Sequence, residues 1–391
     1  MSRALNIGIG GAGVAGLAAA ALLARLGHRV QVFDQFPEPR PVGSGLMIQP
    51  VGLKVLDRLA LAENLTAQSS RITRIVGQAR NGKRVLDTAY ADLRADAVGL
   101  AVQRSSLFDL LLQSALDAGT NLVPATTVTG IDDTTLITED GEIGPFDLVL
   151  DCLGAYSPLC PRPSRPLAYG ALWALLDWPE GQDFNQGWLE QRYRRAAKMV
   201  GVLPVGQRPG APLKLTFFYS LKGTDYAGWR ARSLGAWKTE VLGLWPECGP
   251  ILDQINTHDD LVFAQYTHHT VRRPGRGRIA HLGDSHHATS PQLGQGANTA
   301  LLDAAALADA LARHDDPTQA TAAYARARRG HVWLYQTASW AFTPLYQSDN
   351  LFFPWLRNNI AAPISRVPPI PRLLAKLVAG EMIRTGVDRD S

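Results

Sequence analysis

The feature that most constrains this chain is a glycine run, Gly11-Ala12-Gly13-Val14-Ala15-Gly16, set between two unlike apolar stretches. Before it, Leu5 to Ile9 reads as a buried strand. After it, the alanine-rich stretch from Val14 to Leu26 reads as a helix, and Gly27 is placed to stop it. Arg29 to Asp34 then reads as a second strand, with Val30 and Val32 alternating with polar neighbours. A strand, glycine turn, helix and strand in this order open a parallel sheet covered by helices. Glycines in such a turn let the backbone approach a pyrophosphate, and the helix start offers free N–H groups and the positive end of its dipole. Asp34, closing the second strand, is placed to accept a hydrogen bond from a ribose hydroxyl. The pattern predicts a dinucleotide site without separating a flavin from a nicotinamide.

The same glycines exclude a misreading of the N-terminus. Arg3 precedes a small, apolar stretch through Leu23, as in a signal peptide, but Gly8, Gly10, Gly11, Gly13 and Gly16 interrupt it. No other segment offers the ~20 uninterrupted apolar residues of a membrane span. The 391 residues predict two or three domains at roughly 100–200 residues each. Hydrophobic residues make up 46% and charged ones 19%, which argues against disorder. The net charge is +4 with no long basic run, which fits small anionic ligands and excludes a nucleic-acid partner. Cys152, Cys160 and Cys248 form no CxxC pair, so neither a disulfide scaffold nor a structural zinc is expected. A cytoplasmic, reducing compartment is the simplest expectation.

A second motif runs from Gly283-Asp284-Ser285-His286-His287 through Pro291 to Gly294-Gln295-Gly296-Ala297-Asn298. It follows an apolar strand, Ile279 to Leu282, and opens the long helix Ala297 to Ala312. An acid directly after the strand and glycine reaches a ribityl or ribose hydroxyl. Backbone N–H groups freed by Gly294 and Gly296 suit an electron-rich flavin carbonyl. Between the two motifs, Leu167 to Thr270 is rich in tryptophan and tyrosine and alternates like the strands of an inserted sheet.

Together the two motifs resemble the FAD-dependent aromatic hydroxylase family, the class A flavoprotein monooxygenases of the para-hydroxybenzoate hydroxylase type. The similarity runs to about Arg329, with a weaker middle. It implies an α/β fold: a Rossmann-like FAD-binding domain, an inserted β-sheet substrate domain and C-terminal helices. The FAD-binding domain is expected from residues 1–70, 98–165 and 271–340, the substrate domain from 71–97 and 166–270, and a C-terminal helical segment from 341–391. The resemblance implies non-covalent FAD held by Gly11, Gly13, Ala15, Gly16, Asp34, Arg40, Arg104, Gly283, Asp284, Pro291, Gly294, Gly296, Ala297 and Asn298. It implies that reduced flavin takes up O2 as a C4a-hydroperoxide and delivers one oxygen atom to an aromatic or polycyclic small molecule. A monomer or homodimer is expected.

One family motif departs. Where the family has Ala-Asp-Gly, then serine and arginine, this chain has Cys152-Leu153-Gly154, then Ser157 and Cys160. Leu153 replaces the acid and Cys160 the arginine of a motif that the family links to both FAD and NAD(P)H. The resemblance implies NADPH or NADH as electron donor. The loss of this charged pair points instead to a separate flavin reductase, to an oxidase or dehydrogenase reduced by its own substrate, or to a non-redox binding protein.

No catalytic base stands out; His287 and Pro291 are the candidates nearest the flavin motif. His268 and His269 are adjacent, so on a strand they face opposite ways, and no metal site is expected. In this family the substrate lies between the inserted sheet and the flavin, so Trp173, Phe217 and Tyr219 are candidate substrate contacts. The tail segment Phe352-Phe353-Pro354-Trp355 reads first as docking on the chain's own surface, with a membrane or partner as the alternative.

Overall fold

The computed structural model describes residues 3–41, 43–161, 164–181 and 184–385. A six-stranded sheet forms its base, in the order Gly275–Arg276, Ile279–His281, Leu148–Asp151, Asn6–Gly10, Arg29–Phe33 and Asn121–Val123. All pairs are parallel except the first. The glycine turn therefore leaves the carboxyl end of a central strand, where open α/β sheets place their ligands.

The Val14–Arg25 helix has little polar surface, because Ala15 through Leu23 are all buried. It lies between the Gly296–Arg313 and Arg104–Asp117 helices, so no side of its first three turns meets water. Alanine serves here because small side chains let three helices pack closely on one sheet.

A seven-stranded sheet stands beside it, ordered Val262–His268, Arg165–Asp177, Lys214–Lys222, Lys198–Pro204, Trp188–Arg194, Arg74–Ala79 and Arg84–Ala89. The Arg74–Ala89 hairpin, turning at Asn81-Gly82, thus joins strands far away in sequence through a parallel pairing with Trp188–Arg194. One face of this sheet is roofed by the Tyr226–Ala231, Leu234–Leu242 and Gly249–Asp253 helices around the buried Trp229, Trp237 and Trp245. The other face carries Trp173 and Phe218 and packs with Met47 and Ala101 of the small Gly45–Ile48, Gly99–Gln103, Ser70–Ile72 sheet.

The C-terminal third differs from its sequence pattern in one respect. A short helix, Gln319 to Arg328, is what the sequence suggests; a single helix spans Pro317–Tyr346, with Pro344 in its last turn. Its buried stripe of Tyr324, Arg328, His331, Tyr335 and Ser339 packs along the second motif and the last helix. Short helical pieces at Phe352–Leu356, Ala362–Ile364 and Ile370–Val378 follow, and residues 386–391 of the expected C-terminal segment lie outside the described residues.

Candidate active site at the junction of the two glycine motifs

The two motifs meet in space. A Cβ on Gly283 would lie 3.0 Å from that of Ala15 and 3.5 Å from that of Ala300, so the second motif is seated directly on the first helix. Gly16 is required for the turn itself: its Cβ would come within 2.0 Å of the Gly11 carbonyl oxygen. Asp34 spans the turn from the neighbouring strand end, its Oδ2 accepting from Ala12 N at 2.9 Å and its Oδ1 from Phe36 N at 3.0 Å. The exposed Arg40 guanidinium stacks 4.7 Å from the Phe36 ring in the same loop.

Two helix starts open onto this junction. Neither Gly13, before the first helix, nor Gln295, before the Gly296–Arg313 helix, provides a side-chain cap. A Cβ at Gly13 or Gly296 would meet nothing within 4 Å, so the backbone N–H groups there face open space. Arg104 lies across the groove, half-buried, 3.2 Å from where a Gly43 Cβ would stand and within the field of the exposed Asp284. Its Nε, the Ser44 hydroxyl and the Gln49 Nε2 are buried without hydrogen-bond partners. Such atoms cost roughly 1–3 kcal/mol each when left unmatched, and three along one groove mark a place where a polar ligand belongs. Gly294 closes the groove, 3.6 Å from the Gln49 amide nitrogen when given a Cβ. The Asn298 side chain is spent on fastening this wall: it accepts from Gln49 N at 2.8 Å and donates to Met47 O and Gly294 O at 3.0 Å. Pro291 stays exposed at the mouth. Two uncapped helix starts, a half-buried arginine and unmatched donors fit a dinucleotide carrying a pyrophosphate and a carbonyl-rich ring.

Behind the loop sits a cluster that sequence reasoning missed. Asp303, fully buried, accepts from Gly283 N at 2.9 Å, from Arg328 Nε at 2.6 Å and shares a 2.7 Å hydrogen bond with His287 Nε2. Burial alone would raise its carboxyl, but His287 and Arg328 outweigh that and hold it well below the usual range. Burial pushes the neighbouring His286 down to about 4. The sequence signal was present as Asp303, an acid set among the leucines and alanines of the helix, and an arginine one helix later. His287, the candidate base, is 2% exposed and bound to Asp303, which makes it part of the cluster that fastens the loop.

The departing motif is rebuilt with different groups. Leu153 packs into an apolar cluster with Phe33, Phe146 and Leu159. The buried Asp151, two residues earlier, accepts from Leu153 N at 3.1 Å, from Ser157 Oγ at 2.8 Å and pairs with His281 Nδ1 at 2.7 Å. The Cys160 thiol donates to Ser285 O at 3.0 Å, and burial beside Asp151 pushes it up to about 12. Asp151, Cys160 and His281, and likewise His286, His287 and Asp303, bring metal-type donors together among the described residues. In both, the carboxylate is already engaged by protein donors.

On the inserted sheet, strand alternation divides the three substrate candidates between two faces. Trp173 pairs in register with Phe218, and the two rings stack at 5.0 Å on the face that packs with Met47. Phe217 and Tyr219 fall on the opposite face, fully buried against Trp237, with Tyr219 donating to Glu240 at 3.0 Å. A one-residue step along a strand exchanges faces.

The fold and site define a flavin-binding oxidoreductase. A family model described as an FAD binding domain matches residues 4–138 and 256–338. The chain belongs to this family, and it is an FAD-dependent monooxygenase. It is similar to a protein of Rhodococcus erythropolis named a probable 2-heptyl-3-hydroxy-4(1H)-quinolone synthase, 28% identical over 378 residues, covering 94% of this chain and 93% of that one. It is also 28% identical over 342 residues to the 3-amino-4-hydroxybenzoate 2-monooxygenase of Streptomyces cremeus, covering 83% of each. Among solved structures, 2-methyl-3-hydroxypyridine-5-carboxylic acid oxygenase in its tetrameric form superposes with a TM-score of 0.79 at 19% identity, covering 96% of each chain.

Proposed function

We propose that this monooxygenase inserts one atom of O2 into an electron-rich aromatic or heteroaromatic ring that bears a hydroxyl or amino group. The junction of Gly283 on Ala15, with the unmatched polar atoms around it, carries the reading, because it joins two sequence motifs into one dinucleotide groove. The named relatives support the substrate class, since each handles an oxygenated or aminated ring.

When bound, FAD supplies the activation of O2 and the oxygen transfer. The protein's residues do the rest. The Gly11–Gly16 turn and first helix start receive the pyrophosphate, with Asp34 for the ribose and Arg40 and Arg104 for anionic oxygens. Asp284, exposed beside Arg104, accepts from a ribityl hydroxyl. Backbone N–H groups at 294–298 face the ring carbonyls and favour negative charge there. Trp173, partly buried and stacked on the buried Phe218, offers the substrate an apolar surface that excludes water.

The test is anaerobic reduction followed by O2. The FAD-loaded protein is mixed with NADH or NADPH, with and without hydroxyquinolones and aminohydroxybenzoates, and flavin absorbance is followed. Bleaching by a nicotinamide means that the Asp151–His281 pair replaces the family's charged motif in function. Without it, electrons come from a separate reductase, and flavin reduced elsewhere restores hydroxylation. Substrate alone bleaching the flavin would overturn the reading in favour of an oxidase, the alternative that Leu153 and Cys160 favour.

A further inference from the structure

The large apolar side chains that this protein exposes are not scattered. Of fifteen among the described residues, ten lie between residues 333 and 383. Trp333, Trp340, Phe352, Trp355, Ile364 and Val367 are each more than half exposed. Single exposed apolar residues are ordinary, but a concentration of this kind marks an interaction surface. Trp333 and Trp340 are seven residues apart on the Pro317–Tyr346 helix and so share its outer face, with the exposed Arg329 one turn and Arg326 two turns before Trp333. The Phe352–Leu356 helix packs against that long helix, and its Phe352 and Trp355 rings stack at 6.1 Å.

Charge decides what this face meets. Residues 317–380 hold seven Lys and Arg and a single acid, Asp349; of the seven, Arg328 and Arg357 are buried, and the other five reach the surface. The chain as a whole has 39 basic and 35 acidic residues, so the remainder carries 32 against 34 and is slightly acidic. That segment exposes the tryptophans and is bounded by Asp315, Asp316 and Glu381; its surface charge comes from Arg326, Arg329, Arg366, Arg372 and Lys376 against Asp349. The Arg80–Arg84 turn joins it, with Lys83 donating to Asn359 and Arg366 to the Arg84 carbonyl. A second copy of this face would set basic groups against basic groups. No helix among the described residues is long and apolar enough to cross a membrane.

We infer that the C-terminal helical layer docks on an anionic lipid surface, with Trp333, Trp340, Phe352 and Trp355 entering the headgroup region and Arg366, Arg372 and Lys376 meeting lipid phosphates. Aromatic rings favour that boundary, and basic residues add attraction only where the lipid is anionic. This stands on surface composition and is independent of the substrate reading.

The experiment is flotation of the full-length, FAD-loaded protein with vesicles of phosphatidylcholine alone or mixed with phosphatidylglycerol. The expected result is flotation with the anionic vesicles, weakened by salt. Trp340→Ser with Trp355→Ser abolishes it, and Arg366→Gln or Arg372→Gln reduces the partition about fivefold each. All four positions are exposed, so retained FAD absorbance reports an intact fold. No flotation, or equal flotation with neutral vesicles, overturns the inference. So does a concentration-dependent dimer in light scattering that the tryptophan substitutions dissolve, which would assign the face to a second copy.

Discussion

Asp303→Asn removes one charge from a buried cluster and little volume. In the native protein Asp303 is wholly buried, as is Arg328, whose Nε donates to it at 2.6 Å. The asparagine still offers an oxygen to Gly283 N, but it leaves the guanidinium without its buried counter-charge. Breaking a buried pair from one side costs roughly 3–5 kcal/mol. The cost falls on the 283–298 loop, because Asp303 ties Gly283 and His287 to the helix behind them. Urea unfolding followed by tryptophan fluorescence measures it, and FAD retention should fall in parallel. The pH dependence has a definite sign. The folded carboxyl is held well below its unfolded value, so its contribution is fully present above the ordinary carboxylate value of about 3.9. It fades as pH falls from there toward the folded value. The gap between wild type and variant must therefore narrow on acidification. A loss under about 1 kcal/mol, or a gap indifferent to pH between about 6 and 3, refutes the reasoning. The pair Asp303→Leu with Arg328→Met, which removes both charges, should recover much of the stability that either change alone loses.

Arg104→Met should weaken FAD binding about tenfold to a hundredfold, the worth of a charge-assisted bond. It should leave unfolding of the FAD-free protein unchanged or improved, since it removes an unmatched buried nitrogen. Gly16→Ala should abolish FAD retention by forcing open the turn at the Gly11 carbonyl, as read from flavin absorbance after desalting. Phe217→Ala should cost about 3–5 kcal/mol of stability and leave substrate preference alone, whereas Trp173→Ala should alter KM with a smaller stability loss. With its thiol held at about 12, Cys160 should react with thiol reagents at pH 8 far more slowly than a free cysteine.

Much of the site was legible because local chemistry dictates it. A turn that must pass Gly11 under Gly16 admits only glycine, so the fingerprint carries its own geometry. Gly283, Asp284 and the 294–298 loop were legible for the same reason. Asp303, Arg328, Gln49 and Ser44 were not, because their roles come from packing between residues far apart in sequence. The faces of the inserted sheet were not legible at the level of parity: Phe217 and Phe218 are equally aromatic, and only the register decides which shares a face with Trp173. The departing motif was half legible. The missing acid and arginine could be counted, but the Asp151–His281 pair beside them required neighbouring strands in register.

The central claim is oxygen insertion. Its most direct measurement supplies the enzyme with reduced FAD under 18O2, with hydroxylated and aminated bicyclic aromatics as substrates, and weighs the product. The account predicts one 18O atom in each product molecule, with the second reduced to water. A product that is oxidised but free of 18O, with stoichiometric hydrogen peroxide, would contradict it.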